Sequence, residues 1–229
     1  MAKPTSFTAE LFRFLTQLRK HNDRDWFAAN KERYEREARD PLLRFIAELG
    51  PKLARLSRHF IADPSPTGGS MMRIYRDTRF AKDKSPYKTA LMAHFQHDAG
   101  EEGATPAFFL RLEPGASAVG AGVWRPGPDA LTRIRTRIVE DSKGWQRVTS
   151  GRTLGRNCAM AGESLKRPPP GFAADHPLIE DLKRKDFAVI VPLDDKRVAS
   201  PAFMDDVMSA FRATAPFVGF LTRALGLPY

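Results

Sequence analysis

Apolar residues recur at the 3.6-residue period of an α-helix through the N-terminal part of the chain. Thr8 can cap a first helix, and its apolar stripe consists of Leu11, Phe12, Leu15 and Leu18. A polar break at residues 21–24 separates this helix from a second one, and Asp40 followed by Pro41 begins a third. We therefore predict that residues 7–62 are helical.

The apolar positions alternate with polar ones from residue 71 onward, which is the period of a half-buried strand. Four such runs are separated by turns, at residues 71–75, 89–96, 107–113 and 117–125. Together they predict an antiparallel β-meander over residues 71–125. Gly120 and Gly122 fall on one face of the last run, where either a ligand approaches the backbone or the strand packs tightly.

The C-terminal half combines helices, one apolar strand and a stretch of poor periodicity. A Pro-Gly-Pro turn begins a helix predicted over residues 128–141. Residues 142–174 predict an irregular segment, with short strands near Arg147 and Leu165. Beyond it, residues 175–226 predict a short helix, an apolar central strand and a C-terminal helix. The expected bounds of these three elements are 176–185, 187–191 and 200–226.

This order of elements predicts the fold class and the number of domains. A run of helices, a run of strands and further helices are typical of an α+β fold. We expect one domain over residues 1–229, in which an antiparallel β-meander sheet packs against N-terminal and C-terminal helices. The chain is 42% hydrophobic and 10% aromatic, so it can bury a core, and wholesale disorder is excluded.

Composition also bears on the cellular environment. The chain has no apolar run of the length that crosses a bilayer, and its first six residues lack the apolar stretch of a signal peptide. The single cysteine, Cys158, cannot form an intramolecular disulfide, which agrees with a reducing compartment. We therefore expect a cytoplasmic protein with no membrane partner.

The charge balance is the first observation with functional content. The chain has 37 Lys and Arg residues against 27 Asp and Glu residues, a net charge of +10. Residues 73–88, here called the basic segment, contain six basic residues opposed only by Asp77 and Asp83. Anionic partners are therefore plausible, and the basic segment is the place to expect them.

The basic segment reads RIYRDTRF and then KDKSPYK, which resembles the signature of the domain-of-unknown-function family 2461. Ala81 and Ser85 stand where that family often has Ser and Thr. Further landmarks in the family's order are Asn22, Trp26-Phe27, Tyr34, Gly120-Ala121-Gly122-Val123-Trp124, Leu165-Lys166-Arg167, Gly171-Phe172 and His176-Pro177. The resemblance covers nearly the whole chain, and the family's name implies no activity.

Guanidinium groups bind phosphate or carboxylate in a bidentate manner, and nearby lysines add positive charge. We therefore expect the basic segment to bind a small anionic ligand. The candidate binding residues are Arg73, Tyr75, Arg76, Asp77, Arg79, Lys82, Lys84, Tyr87 and Lys88. Two alternatives stay open. The segment can belong to a nucleic-acid-associated binding module, or it can be a structural Arg/Asp clamp that binds no ligand.

The sequence assigns no reaction and no cofactor. It contains no P-loop, no dinucleotide-binding glycine motif, no HExxH zinc motif and no GxSxG elbow. His94 and His97 are three residues apart, which on a strand turns them to opposite faces, so we predict no shared metal there. If the protein is an enzyme, Tyr75, Asp77 and Tyr87 are the side chains expected to take part in chemistry.

Overall fold

The N-terminal part of the chain forms helices, as its apolar period predicts. The computed structural model describes residues 7–100, 105–155 and 158–229, and for residue 153 only the backbone. Thr8 and Asp23 cap the first two helices by accepting backbone N–H groups. The helical elements are α1 (Ala9–Lys20), α2 (Arg24–Ala29), α3 (Lys31–Tyr34), a π-helical turn (Glu35–Arg39) and α4 (Asp40–Leu56).

A five-stranded antiparallel sheet follows, with spatial order β1-β2-β3-β5-β4. Its strands are β1 (Leu91–Gln96), β2 (Ala107–Leu112), β3 (Ala118–Val123), β4 (Ala159–Ala161) and β5 (Phe187–Pro192). The strand predicted at 187–191 therefore lies inside the sheet, between two neighbours. The remaining helices are α5 (Pro128–Glu140), α6 (Ser142–Thr149), α7 (Gly151–Leu154), α8 (Ile179–Leu182), α9 (Asp195–Val198) and α10 (Phe203–Ala224).

The two faces of the sheet have different environments. Residues in register on one face, such as Leu110 and Val119, are fully buried. The C-terminal helix α10 covers this face, and its Phe211 ring packs 4.8 Å from the ring of Phe108. The opposite face has partly exposed side chains on β1, β2 and β5 and only alanine and glycine on β3. The predicted α+β architecture, with helices packed on an antiparallel sheet, is confirmed.

The predicted meander begins later than expected. Residues 71–75 do not form a strand, and only two isolated bridges occur there, from Met71 to Ala93 and from Tyr75 to Tyr87. The chain pairs with the edge of β1 at Met71. It then leaves β1, and Tyr75 pairs with Tyr87 of the basic segment instead. The prediction of a first strand at 71–75 is therefore wrong, and the strands of the meander, β1 to β3, lie between residues 91 and 123.

The segment predicted to be irregular, 142–174, contains two helices and a strand instead. Arg147 lies in α6, so the strand expected there is wrong. Asp141 caps α6 by accepting the backbone N–H of Gly144 at 3.0 Å, and Trp145 is fully buried. Near Leu165 the backbone pairs with residues 183–184, but only as an isolated bridge. Residues 156 and 157 of this segment lie outside the described residues.

Two helices are shorter than predicted. The helix expected over 176–185 is reduced to α8, and the C-terminal helix begins at Phe203 rather than near residue 200. Gly226 has a φ of +72°, the left-handed conformation that terminates helices, and it follows the end of α10 as expected.

Among the helices of the described residues, none combines the length and the apolar composition needed to cross a bilayer. The first six residues, on which the signal-peptide expectation rests, lie outside the described part.

The side chain of Trp145 packs among aromatic rings that are distant in sequence. Its ring lies 5.4–5.8 Å from the rings of Phe187, Phe217 and Phe220, and its indole N–H has no hydrogen-bond partner among the described residues. We expect Trp145→Ala to lower the free energy of unfolding by about 3–5 kcal/mol. Trp145→Phe should cost less than half as much, because it keeps a ring and removes an unsatisfied donor. Urea denaturation of both variants checks this, and equal losses would contradict it.

Candidate functional site

The two ends of the basic segment pair with each other and form a short hairpin. The backbone N–H of Arg76 donates to the carbonyl of Pro86 at 2.8 Å, and that of Lys88 donates to the carbonyl of Ile74 at 2.7 Å. Between them lies the bridge from Tyr75 to Tyr87. The hairpin therefore places Arg76 opposite Pro86 and Lys88 opposite Ile74.

Asn22 attaches this hairpin to the helices. Its amide nitrogen donates to the carbonyl of Tyr87, and its amide oxygen accepts the N–H of the same residue, both at 3.0 Å. The ring of Tyr87 stacks on Phe27 with a centroid separation of 4.1 Å and is only 4% exposed. Burial raises the pKa of the Tyr87 phenol. Tyr87 therefore anchors the hairpin, whereas the ring of Tyr75 is 54% exposed.

The charges of the basic segment are partly paired within the segment itself. Arg76 donates to Asp83 at 2.5 Å, and Arg79 donates to Asp77 at 2.7 Å. Two lysine ammonium groups bind backbone carbonyls, that of Lys84 at Thr78 and that of Lys88 at Arg73. These contacts are the ones that a structural clamp requires, so part of the positive charge serves to fix the hairpin.

Both aspartates of the segment are strongly stabilised as carboxylates. Hydrogen bonds from the hydroxyl and the backbone N–H of Ser85, together with the Arg76 guanidinium, hold the pKa of Asp83 well below its usual range. Hydrogen bonds from Arg79 lower the pKa of Asp77 to about 2. Both groups are therefore ionised at neutral pH, which suits ion-pair partners better than proton donors.

One side of the hairpin faces a cleft of about 510 Å³ that four basic side chains line. Arg76 and Lys88 come from the basic segment, Arg19 comes from the end of α1, and Arg111 comes from β2. Asp83 is the acidic residue that lines the same cleft. Sequence elements that lie far apart along the chain thus place several cationic groups around one space.

Arg19 and Arg111 were missed by sequence reasoning. Both pair with Glu113, Arg19 at 2.9 Å, and Glu113 itself is largely buried. Arg111 lies at a polar position of the alternation in β2, directly opposite Met92 of β1. That alternation could have shown that Arg111 shares a face with Met92. Nothing in the local sequence around Arg19 indicates that it meets the hairpin.

The remaining candidate residues do not line this cleft. Of the predicted set, only Arg76, Tyr87 and Lys88 are among its lining residues. The others lie elsewhere on the hairpin, namely Arg73, Tyr75, Asp77, Arg79, Lys82 and Lys84. The turn between the two halves of the hairpin also contains Phe80, whose side chain is 96% exposed. The structure thus separates the cleft side of the basic segment from its exposed tip, residues 77–82.

The open face of the sheet forms a second space, here called the sheet groove, of about 490 Å³. Small residues of the central strands lie beneath it, and larger apolar side chains line it. The lining includes Ala118, Gly122, Ala188, Phe109, Trp124 and Ile190. Met92 and Arg111 line both the sheet groove and the basic cleft. The two spaces are therefore adjacent.

The two glycines of β3 are explained by close packing. A Cβ at Gly120 would lie 2.2 Å from the ring of Phe109, and one at Gly122 would lie 2.1 Å from the carbonyl oxygen of Phe187. Gly122 also has a φ of +134°, which other residues rarely adopt. Of the two interpretations of these glycines, tight packing of the strand accounts for both positions.

The structure places His94 and His97 in different environments. His94 lines the sheet groove, whereas His97 is buried and lies near His59 and Asp98. The Nε2 atom of His97 lies 2.7 Å from the carbonyl oxygen of Pro228, so it carries the proton, and its Nδ1 accepts the N–H of Ala99. The His59 Nδ1 lies 3.1 Å from Asp98. Hydrogen bonds therefore account for this cluster, which ties the C-terminal residues to the end of β1.

Comparison with known families identifies the chain. A family model described as conserved hypothetical protein (DUF2461) matches residues 10–220. The chain belongs to the DUF2461 family. The match includes the whole basic segment and also Arg19 and Arg111, so every residue of the cleft lies in the family domain. Comparisons with curated proteins and with solved structures gave no match.

The hydrogen bonds to Asp83 in this DUF2461 domain lead to a pH prediction. Because the pKa of Asp83 is lower in the folded than in the unfolded chain, these contacts add stability above the usual aspartate pKa of about 4. That stability is lost as the pH falls toward the folded value. We expect Ser85→Ala to raise the pKa of Asp83 and to leave that of Asp77 unchanged. Carbon-13 NMR titration of the carboxyl groups checks both, and a wild-type Asp83 that titrates at the usual aspartate pKa would contradict the prediction.

Proposed function

We propose that this protein binds a small anion, a phosphate or carboxylate group, in the cleft between the hairpin and β2. The observation that carries the proposal is the convergence of Arg19, Arg76, Lys88 and Arg111 on one space with a single acidic lining residue. Positively charged clefts of this kind concentrate anions near the protein.

The geometry of the ion pairs supports binding. Glu113 pairs with both Arg19 and Arg111, and Asp83 pairs with Arg76. A guanidinium carries five N–H donors, so one ion pair does not exhaust its capacity. These carboxylates restrict the arginine side chains before a ligand arrives, which lowers the entropy lost on binding. The same ion pairs can thus stabilise the hairpin and orient the donors.

The side chains expected to take part in chemistry, Tyr75, Asp77 and Tyr87, are not arranged for a reaction in the cleft. Tyr75 and Asp77 do not line the cleft, and the Tyr87 ring is stacked on Phe27. Asp77 is paired with Arg79 and has a lowered pKa, so it does not supply a proton at neutral pH. None of the three side chains proposed for chemistry therefore has a geometry that favours a reaction over binding.

Nucleic-acid binding is the second candidate, and the exposed tip of the hairpin favours it. Phe80 is 96% exposed, and the Arg79 guanidinium lies 6.0 Å from the Phe80 ring centroid. Single-strand binding proteins combine exposed rings, on which bases stack, with cations that contact phosphates. The tip is separate from the cleft, so the two candidates make different predictions for the same variants.

Titration of the protein with inorganic phosphate tests the anion site. We expect Arg111→Gln to weaken phosphate binding by at least about tenfold, because a charge-assisted hydrogen bond contributes about 1.5–3 kcal/mol. Arg79→Gln is the matched control, since Arg79 is also paired with an aspartate but does not line the cleft. Isothermal titration calorimetry measures both. Unchanged affinity in Arg111→Gln, or an equal loss in Arg79→Gln, would contradict the anion site.

The same variants separate the alternatives. The affinity of each variant for a short single-stranded oligonucleotide is measured. Equal affinity of wild type and Arg111→Gln, with weaker binding by Arg79→Gln and Phe80→Ser, would favour the nucleic-acid candidate. The steep salt dependence expected of phosphate contacts would accompany it. If Arg76→Ala lowers the melting temperature while phosphate affinity is unchanged, the hairpin charges act only as a clamp.

A further inference from the structure

The sheet groove is unusual because an apolar surface lies directly beside the cationic cleft. Met92 of β1 and Arg111 of β2 face each other in register and line both spaces. A ligand whose charged group contacts Arg111 therefore has its other end at the entrance of the groove. Each space alone is within the size range of small-molecule sites, about 300–1,000 Å³.

The surface beneath the groove suits a flat apolar group. Ala118, Gly122 and Ala188 leave the sheet backbone covered by little side-chain volume. Larger apolar side chains stand beside them, and Trp124 remains 45% exposed. Aromatic rings pack well against such faces and edges. Phe109 already occupies the space above Gly120, so the accessible part lies on either side of this ring.

Charge decides which kind of occupant fits. The end of the groove at Arg111 opens toward four basic side chains and one acidic one. An apolar occupant without charge would leave the cleft unused, and a simple inorganic anion would leave the groove unused. Complementarity to both parts requires a molecule with an anionic end and an apolar body.

We infer that the two spaces form one site for an amphipathic organic anion, with its phosphate or carboxylate in the basic cleft and a flat apolar body in the sheet groove. This inference rests on the proposed anion site and deepens it by naming the ligand class. Arg111 contacts the charged group, and Met92 lies at the junction between the charged group and the body. Ala118 and Ile190 contact the apolar body and determine specificity for it.

A series of ligands with one charged group and different bodies tests the inference. The probes are inorganic phosphate, phenyl phosphate and 2-naphthyl phosphate, with acetate and 2-naphthoate as the carboxylate pair. We expect 2-naphthyl phosphate to bind about tenfold more tightly than inorganic phosphate, because its rings bury apolar area in the groove. The tighter of the two naphthyl compounds identifies the preferred charged group.

Substitutions in the sheet groove test whether the tighter binding of 2-naphthyl phosphate arises there. Ala118→Leu narrows the groove next to Arg111, and Ile190→Thr makes it polar while keeping a β-branched side chain. Both should remove the gain for the naphthyl compound. Ile190→Thr, which pairs with Gly120 rather than with Arg111, should leave inorganic phosphate binding unchanged. Ala54→Leu, on an exposed position of α4, adds the same side chain as Ala118→Leu at a distance and is the control.

The outcomes separate this inference from the proposed function. Equal affinity for all three phosphates, each weakened by Arg111→Gln, would overturn the two-part site and leave the anion site standing. A naphthyl gain that persists in both groove variants would place the apolar body elsewhere and would also overturn the inference. If Arg111→Gln binds every probe as tightly as wild type does, the proposed anion site is itself wrong. A concentration-dependent dimer disrupted by Ala118→Leu would assign the groove to a second copy of the chain.

Discussion

One-sided burial of the β-sheet is the constraint on which the remaining structure depends. The antiparallel register places Leu110, Val119 and Val189 on the face that α10 covers, and these three side chains are fully buried. Because side chains alternate along a strand, the same register places Arg111, Ala118 and Ile190 on the other face. A shift by one residue would exchange the two faces. The packing of the core therefore fixes which residues border the cleft and the groove.

The ion pairs of the hairpin both join parts of the fold and hold arginine side chains in place. Asn22 and the Tyr87 ring anchor its base, while Asp83 and Asp77 each hold one arginine. Exposed ion pairs of this kind contribute little to stability when they are isolated. Their larger effect here is on side-chain position, because an arginine held by a carboxylate keeps a defined orientation. The basic segment, whose ion pairs fit a structural clamp, thus also lines one side of the cleft.

The sequence predicts local structure better than it predicts the site. The strand 107–113 and the apolar run 187–191 were found because their patterns are strong over short windows. The helix α6 was missed because its apolar residues are few, and its stability comes from Trp145 packing against residues distant in sequence. Arg76 and Lys88 were identified from a local excess of charge. Arg19 and Arg111 were not, because only the tertiary fold brings them to the hairpin.

The position of α10 along the chain has a consequence for biosynthesis. All the strands of the sheet precede this helix, yet its side chains cover their buried face. During translation the apolar face of the sheet is therefore complete before the helix that shields it has left the ribosome. The hydrogen bond between His97 and Pro228 joins residues 131 positions apart and closes only after both are made. Such long-range contacts slow folding, so the apolar face of the sheet stays exposed on the nascent chain until synthesis passes α10.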